Sequence, residues 1–152
     1  MQKLKATLYK IGYPIMRIYW FFRRPTTQGV RCVIFYEGKV LSIQHTYGSS
    51  LHTTVGGGVE KKETPQAAAI RETYEEVGLT LIDIIPVSQI LYTKEYKHDT
   101  IHVFTATATS NALQVDHSEI KTAAWYDLDN LPTNTSPLFL TFLEQAILQK
   151  NT

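Results

Sequence analysis

"GGGVEKKETPQAAAIRETYEEVGL", Gly56 to Leu79, decides how the rest of this chain is read. It gathers Glu63, Arg71, Glu72, Glu75 and Glu76 in a protein that is only 19% charged. Thr64 is a good N-cap, and Pro65 suits the first helical position, where its missing N–H costs nothing. Gly78 supplies the left-handed residue that ends helices. The pattern predicts a helix over 65–77. At roughly 100° per residue, Ala67, Ile70, Tyr74 and Val77 share one side. Glu72, Glu75 and Glu76 share nearly the opposite side, and Arg71 lies between. A solvated face usually mixes lysine with its acids, because like charges at i,i+4 repel. No lysine stands in register here. Three carboxylates on one turn offer several oxygens in one direction, which suits a hard divalent cation such as Mg²⁺ or Mn²⁺. The preceding glycines permit close backbone approach, and a bare carbonyl there can join the ligand set. On spacing alone, a solvated acidic face and a cation site both stay open.

Composition sets the frame around this helix. A chain of 152 residues with 43% apolar content is long enough for one domain with its own core. The net charge of +1 gives no bulk field for nucleic acid, so none is expected as a partner. The single cysteine, Cys32, cannot form an internal disulfide and sits in an apolar run, which implies a reducing, cytoplasmic setting. The first 25 residues are rich in Leu, Ile, Tyr, Trp and Phe, but Lys10, Pro14 and Arg17 interrupt them. No run approaches the roughly 20 apolar residues of a spanning helix. No small-residue cleavage site follows, which argues against a signal peptide. Residues 1–22 are expected to form a helix packed on this domain or on a homodimer mate. The weaker alternative is a membrane-surface helix using Lys3, Lys5, Lys10, Arg17, Arg23 and Arg24.

Downstream, "VRCVIFY" and "KVLSIQHT" flank Glu37-Gly38 and read as a hairpin. A short extended piece, "LHTTV", enters the glycines. "LIDIIPVSQILYTKE" is strand-like, with Pro86 marking an edge or a bulge. "TIHVFTATAT" alternates, placing Ile101, Val103 and Thr105 on one face and His102, Phe104 and Ala106 on the other. "TAAWYDL" is a further strand. "PLFLTFLEQAILQ" closes the chain as a helix with Leu138, Phe142 and Ile147 as expected core. Strands and helices mixed without strict alternation argue for an α+β or sandwiched α/β/α domain over residues 26–152, after an N-terminal helical extension over 1–25.

The full spacing resembles the signature of the Nudix hydrolases. Gly57, five residues, Glu63, seven residues, then Arg71-Glu72-Thr73-Tyr74-Glu75-Glu76-Val77-Gly78-Leu79 meets every charged and glycine position of that signature. Thr73 is the one departure, standing where the family prefers an apolar residue. The likeness covers roughly residues 27–150 and implies an α/β/α sandwich with a mixed β-sheet. It implies hydrolysis of a diphosphate linkage in a nucleoside diphosphate joined to another group. It also implies that Glu72, Glu75 and Glu76 hold the metal with a backbone carbonyl near Gly57, and that Glu63 orients Arg71. A Nudix-like module that senses a nucleotide without turning it over is the alternative. Such sensors tend to lose signature acids, and none is lost here.

Substrate selection is read from residues outside the signature. The proline that marks many ADP-ribose hydrolases is replaced by Lys94 and Glu95. Tyr96 falls where dinucleoside-polyphosphate hydrolases often carry a base-stacking tyrosine. His98 and Asp99 are read as loop residues at the mouth of the site, touching substrate. Glu119, six residues before Trp125 in "HSEIKTAAWYDLDNLP", is the expected extra acid from a separate loop; Asp116 is its rival.

Overall fold

A computed structural model describes residues 26–94 and 97–150. The helix expected over 1–22 and Tyr96 lie outside the described residues. The described elements are β1 (Thr26–Tyr36), β2 (Lys39–His45), α1 (Pro65–Val77), β3 (Leu81–Lys94), β4 (Lys97–Ala108), β5 (Ile120–Asp127) and α2 (Pro137–Lys150). One sheet runs in the order β3-β4-β1-β2-β5. It is mixed, because β1 and β4 are parallel while the other pairs are antiparallel.

Hairpin β1–β2 turns at Glu37 and Gly38, with φ of 46° and 80°, the positive values that match the strands' own twist. The two strands stay paired only near that turn, at Phe35↔Val40 and Tyr36↔Lys39. Beyond it they splay apart, and residues 53–58 fill the fork. The Ile43 N–H donates to the Thr53 carbonyl, the Cys32 N–H to Val55 and the Val30 N–H to Gly57, each at 2.9 Å. This wedge delivers the glycine loop to the middle of the sheet. Gly56, at φ 154°, has no room for a side chain there: a Cβ would come 2.1 Å from the Val30 carbonyl oxygen.

Both faces of the sheet are covered. Val30, Cys32, Ile34, Phe104 and Ala106 form one core with Ala68, Ala69 and Val77 of α1. Val33, Phe35 and Val103 form the other with Phe139, Phe142, Leu143 and Ala146 of α2. The alternation read in β4 holds, and β1 alternates in the same way. Pro86 sits both on an edge strand and in a bulged stretch, where register slips at Ile82/Ile85 and Pro86/Ser88. The architecture is thus the α/β/α sandwich.

Two helix faces sit otherwise than their apolar residues suggest. Ala67, Ile70 and Tyr74 of α1 are exposed, and the buried stripe is Ala68, Ala69, Thr73, Glu76 and Val77. The small alanines let α1 lie close on the sheet, and that rotation carries Glu76 inward. Thr73 is fully buried with its hydroxyl donating to the Ala69 carbonyl at 2.7 Å, so the departure from the signature leaves no unsatisfied group. In α2, Leu138 is exposed because the buried stripe starts one residue later, at Phe139; Phe142 is buried as expected and Ile147 partly so. Among the described residues, no helix is long and apolar enough to cross a membrane.

Candidate active site

Helix α1 is fixed at both ends by the chemistry its sequence implied. The Thr64 hydroxyl oxygen accepts from the Ala67 N–H at 3.2 Å, and Gly78 closes the last turn in the left-handed region. The loop after β4 then docks on that last turn. Gln114 N–H donates to the Val77 carbonyl at 2.8 Å and Asp116 N–H to the Glu76 carbonyl at 3.0 Å. These bonds satisfy carbonyls the helix leaves open, and they bring the loop acids to the helix acids. A further bond, from Thr46 N–H to the Glu119 carbonyl at 2.8 Å, ties the loop to the end of β2.

The result is a cleft of 310 Å³ lined by Glu72, Glu75, Glu76, Asp116 and Glu119. Both loop acids named from sequence reach it. They differ in how they are held: Asp116 accepts from the Ser118 N–H at 2.8 Å and the Ser118 hydroxyl at 2.9 Å, within its own turn. Glu119 is exposed at the cleft and raises the proton affinity of Glu76 by its charge.

Something positive does sit among the acids, and it is Arg71. Its Nε and Nη2 donate to the two carboxylate oxygens of Glu63 at 2.9 and 3.0 Å, a bidentate pair. Its Nη1 donates to Glu72 at 2.9 Å and to Glu75 at 3.0 Å, and its Nη2 also to the Gly58 carbonyl at 2.9 Å. The Arg71 hydrogen bonds hold the Glu63 carboxyl below its ordinary range, helped by the Glu60 N–H. Glu76 has no such partner. It is 5% exposed, and burial pushes its carboxyl up to about 7. The Gly56 N–H, donating to it at 3.2 Å, works against that rise; Glu72 adds to it, Arg31 opposes it, and Glu119 adds to it.

The glycines do two jobs here. A Cβ on Gly57 would stand 2.4 Å from the Glu72 carboxyl carbon, so only glycine leaves Glu72 where it is. The Gly57 carbonyl accepts from the Val30 N–H at 2.9 Å, which leaves its second lone pair for a ligand. The Gly56 carbonyl likewise accepts from Arg31 Nη1 at 2.9 Å. Among the described residues, no three carboxylate, imidazole or thiolate groups are already drawn together to hold a metal. Arg71 bridges Glu72 and Glu75 instead. The donor chemistry nonetheless fits a hard divalent cation: the cleft is lined entirely by carboxylates, and the most buried of them carries a raised pKa that a cation would reverse.

Beside the cleft lies a cavity of 380 Å³ lined by Thr27, Gln28, Gly29, Arg31, His45, the loop Gly56–Gly58, Asp99 and Ile101. Gly56 and Gly57 wall this cavity and also contact Glu76 and Glu72 respectively. Asp99 therefore reaches the site, but it and His98 belong to β4 rather than to a loop. Their ladder partners, Thr26 and Thr27 on one side and Tyr92 and Thr93 on the other, extend the strand despite its polar sequence. Arg31 and His45 went unread. Arg31 carried a signal, a lone cation inside the apolar "VRCVIFY"; His45, at the end of β2, carried none. Burial, then the charge of Arg31, lowers the His45 pKa, and a hydrogen bond to the Glu119 backbone opposes the fall.

A carboxylate-lined helix fed by a glycine wedge between splayed strands defines a class. The NUDIX domain family matches residues 25–145, and the chain belongs to it. Among curated relatives, the NAD-capped RNA hydrolase NudC of Klebsiella pneumoniae (strain 342) is 31% identical over 102 residues, which are 66% of this chain and 39% of that protein. The match thus spans well under half of that relative's length. Among solved structures, the MutT NUDIX hydrolase from Burkholderia pseudomallei superposes with a TM-score of 0.71 at 24% identity, covering 80% of this chain and 98% of that one. The NUDIX domain of Shewanella oneidensis NrtR, solved with ADP ribose, gives a TM-score of 0.71 at 18% identity, covering 84% and 90%. The two structures share the fold with this chain.

Proposed function

We propose that this protein hydrolyses the diphosphate linkage of a nucleoside diphosphate joined to another group. The observation that carries this is the meeting of two spaces. Five carboxylates line one cleft, and two of them, Glu76 and Glu72, lie against Gly56 and Gly57, which wall a cavity large enough for part of a nucleotide. Glu72, Glu75 and Glu76, with a backbone carbonyl near Gly57, would hold Mg²⁺ or Mn²⁺, which when bound supplies neutralising charge for a diphosphate. The chain's own groups do the remaining work. Glu63 locks Arg71, and Arg71 in turn fixes Glu72 and Glu75. The Gly56 N–H anchors Glu76. Glu119, an exposed acid in the cleft lining, would take a proton from an attacking water. Asp99 faces the cavity as a substrate contact.

The relatives named NAD-capped RNA hydrolases bring dinucleotide-capped RNA back into the substrate set, which net charge alone had argued against. Buried Cys32, its thiol pushed up to about 12 by burial, is inert and fits a reducing cytoplasmic setting. The test is a panel: ADP-ribose, NAD, dinucleoside polyphosphates, nucleotide sugars and a 5′-NAD-capped RNA oligonucleotide, each with Mg²⁺ or Mn²⁺ and each with EDTA. Products read by mass spectrometry should be the two phosphorylated halves of at least one member, split at a P–O–P linkage, only with metal. Tight binding of a panel member with no product would instead make the chain a nucleotide-sensing module.

A further inference from the structure

Arg31 is the one charged residue in the middle of β1, between the buried Val30 and Cys32. A guanidinium in such a strand loses hydration, and desolvation lowers its pKa against the opposing pull of Glu76 and Glu72. A residue this costly to bury ordinarily spends its five N–H donors on protein acceptors. Arg31 does not. Among the described residues its hydrogen bond is to the Gly56 carbonyl, and no carboxylate lies within ion-pair distance. Its side chain lines the 380 Å³ cavity, while the carboxylates whose charge it feels, Glu76 and Glu72, line the neighbouring cleft. It therefore stands at the seam between the two spaces.

We propose that Arg31 binds the substrate's diphosphate, taking the phosphate on the cavity side of the scissile bond while the other phosphate lies over the acidic cleft. This rests on the function proposed above and adds to it a polarity: the cavity receives the group attached to the Arg31-bound phosphate. An arginine fork suits this because its remaining donors can pair with two phosphate oxygens at once, which a lysine cannot do. Glu72 is already engaged by Arg71, so Arg31 has no ion pair with it and keeps donors for a phosphate.

The test uses the full-length protein, Arg31→Lys and Arg31→Gln, with circular dichroism to confirm folding. Calorimetry in EDTA compares adenosine, AMP and the non-hydrolysable α,β-methylene ADP; turnover is then measured on the best panel substrate. Losing a charge-assisted hydrogen bond should weaken α,β-methylene ADP by roughly 10- to 100-fold in Arg31→Gln and less in Arg31→Lys, with adenosine unchanged. KM should rise by a similar factor in Arg31→Lys while kcat moves less. A purely structural role, holding Gly56 and Glu76, would instead weaken all three ligands alike or lower kcat at constant KM, and that result overturns the proposal. So does an Arg31→Lys variant with unchanged affinity and KM. A wild-type protein that neither binds nor cleaves any diphosphate overturns the proposed function as well, which separates the two failures.

Discussion

Replacing Glu76 by Gln should make the metal-free protein more stable at alkaline pH and leave it little changed in acid. Glu76 is 5% exposed, and its folded-state pKa of about 7 lies above the ordinary 4.5. Between those values the folded protein holds a proton that the unfolded chain has released. Stability therefore falls as pH rises through that window; the penalty is absent below about 4.5 and complete above about 7. At about 1.4 kcal/mol per pKa unit, the wild type carries a penalty of about 3 kcal/mol at pH 8 and under about 1 kcal/mol at pH 5. Glutamine is neutral throughout and keeps an oxygen for the Gly56 N–H, so it removes the penalty without orphaning that donor. For a chain of this size, about 3 kcal/mol corresponds to roughly 6–12 °C in Tm. Urea or thermal denaturation in EDTA at pH 5 and pH 8, wild type beside Glu76→Gln, reads the difference. A variant less stable than wild type at pH 8, or one with the same gain at both pH values, refutes the idea that burial strains this carboxylate.

Gly57→Ala should keep the fold but push the Glu72 carboxylate aside, weakening Mn²⁺ binding in calorimetry. Gly56→Ala should instead cost at least about 2 kcal/mol of stability, because its Cβ meets the rigid Val30 carbonyl and not a movable side chain. Glu63→Gln breaks the bidentate pair with Arg71 and should lower kcat roughly 10- to 100-fold, as loss of a group that orients metal ligands does. An unchanged kcat would reduce the pair to surface decoration. Glu119→Gln should depress kcat far more than Asp116→Asn, since the Asp116 carboxylate is committed to Ser118. The reverse order would exchange their roles.

Much of this site was readable because its signals are local. Thr64, Pro65 and Gly78 bound α1 by capping chemistry that involves only near neighbours, and the helix runs from Pro65 to Val77 as read. The succession of strand segments along the chain followed from apolar runs and turn residues, and the alternation of β4 from period-two patterning. What failed was rotation about an axis. Which side of α1 faces the sheet depends on how closely alanines can approach and on glycines that accept a carboxylate, and neither appears in the periodicity of one helix. Ile70 and Tyr74 therefore look like core and are exposed, while Glu76 looks like surface and is buried. The same single-residue rotation misplaced Leu138. His98 and Asp99 look like loop because polar residues dominate there, yet strand pairing on both sides overrides their propensity. Arg31 stands out locally as a lone cation in an apolar run, but it enters the site only because the strands splay and residues 53–58 fill the fork, a long-range event. The opposed acids Asp116 and Glu119 were both legible, but the turn that separates them, closed by Ser118, needed the backbone to be seen.

The most direct test of the account is the metal dependence of a single reaction. The panel substrate cleaved fastest is incubated in ¹⁸O-labelled water with Mg²⁺, with EDTA, and with Mg²⁺ and Glu76→Gln. With Mg²⁺ the substrate should give two phosphorylated products, one of them carrying a single ¹⁸O; EDTA should abolish the reaction; and Glu76→Gln should lower turnover at least about 100-fold, as expected for loss of a key electrostatic group. Equal rates with Mg²⁺ and EDTA, or full activity in Glu76→Gln, would contradict the account.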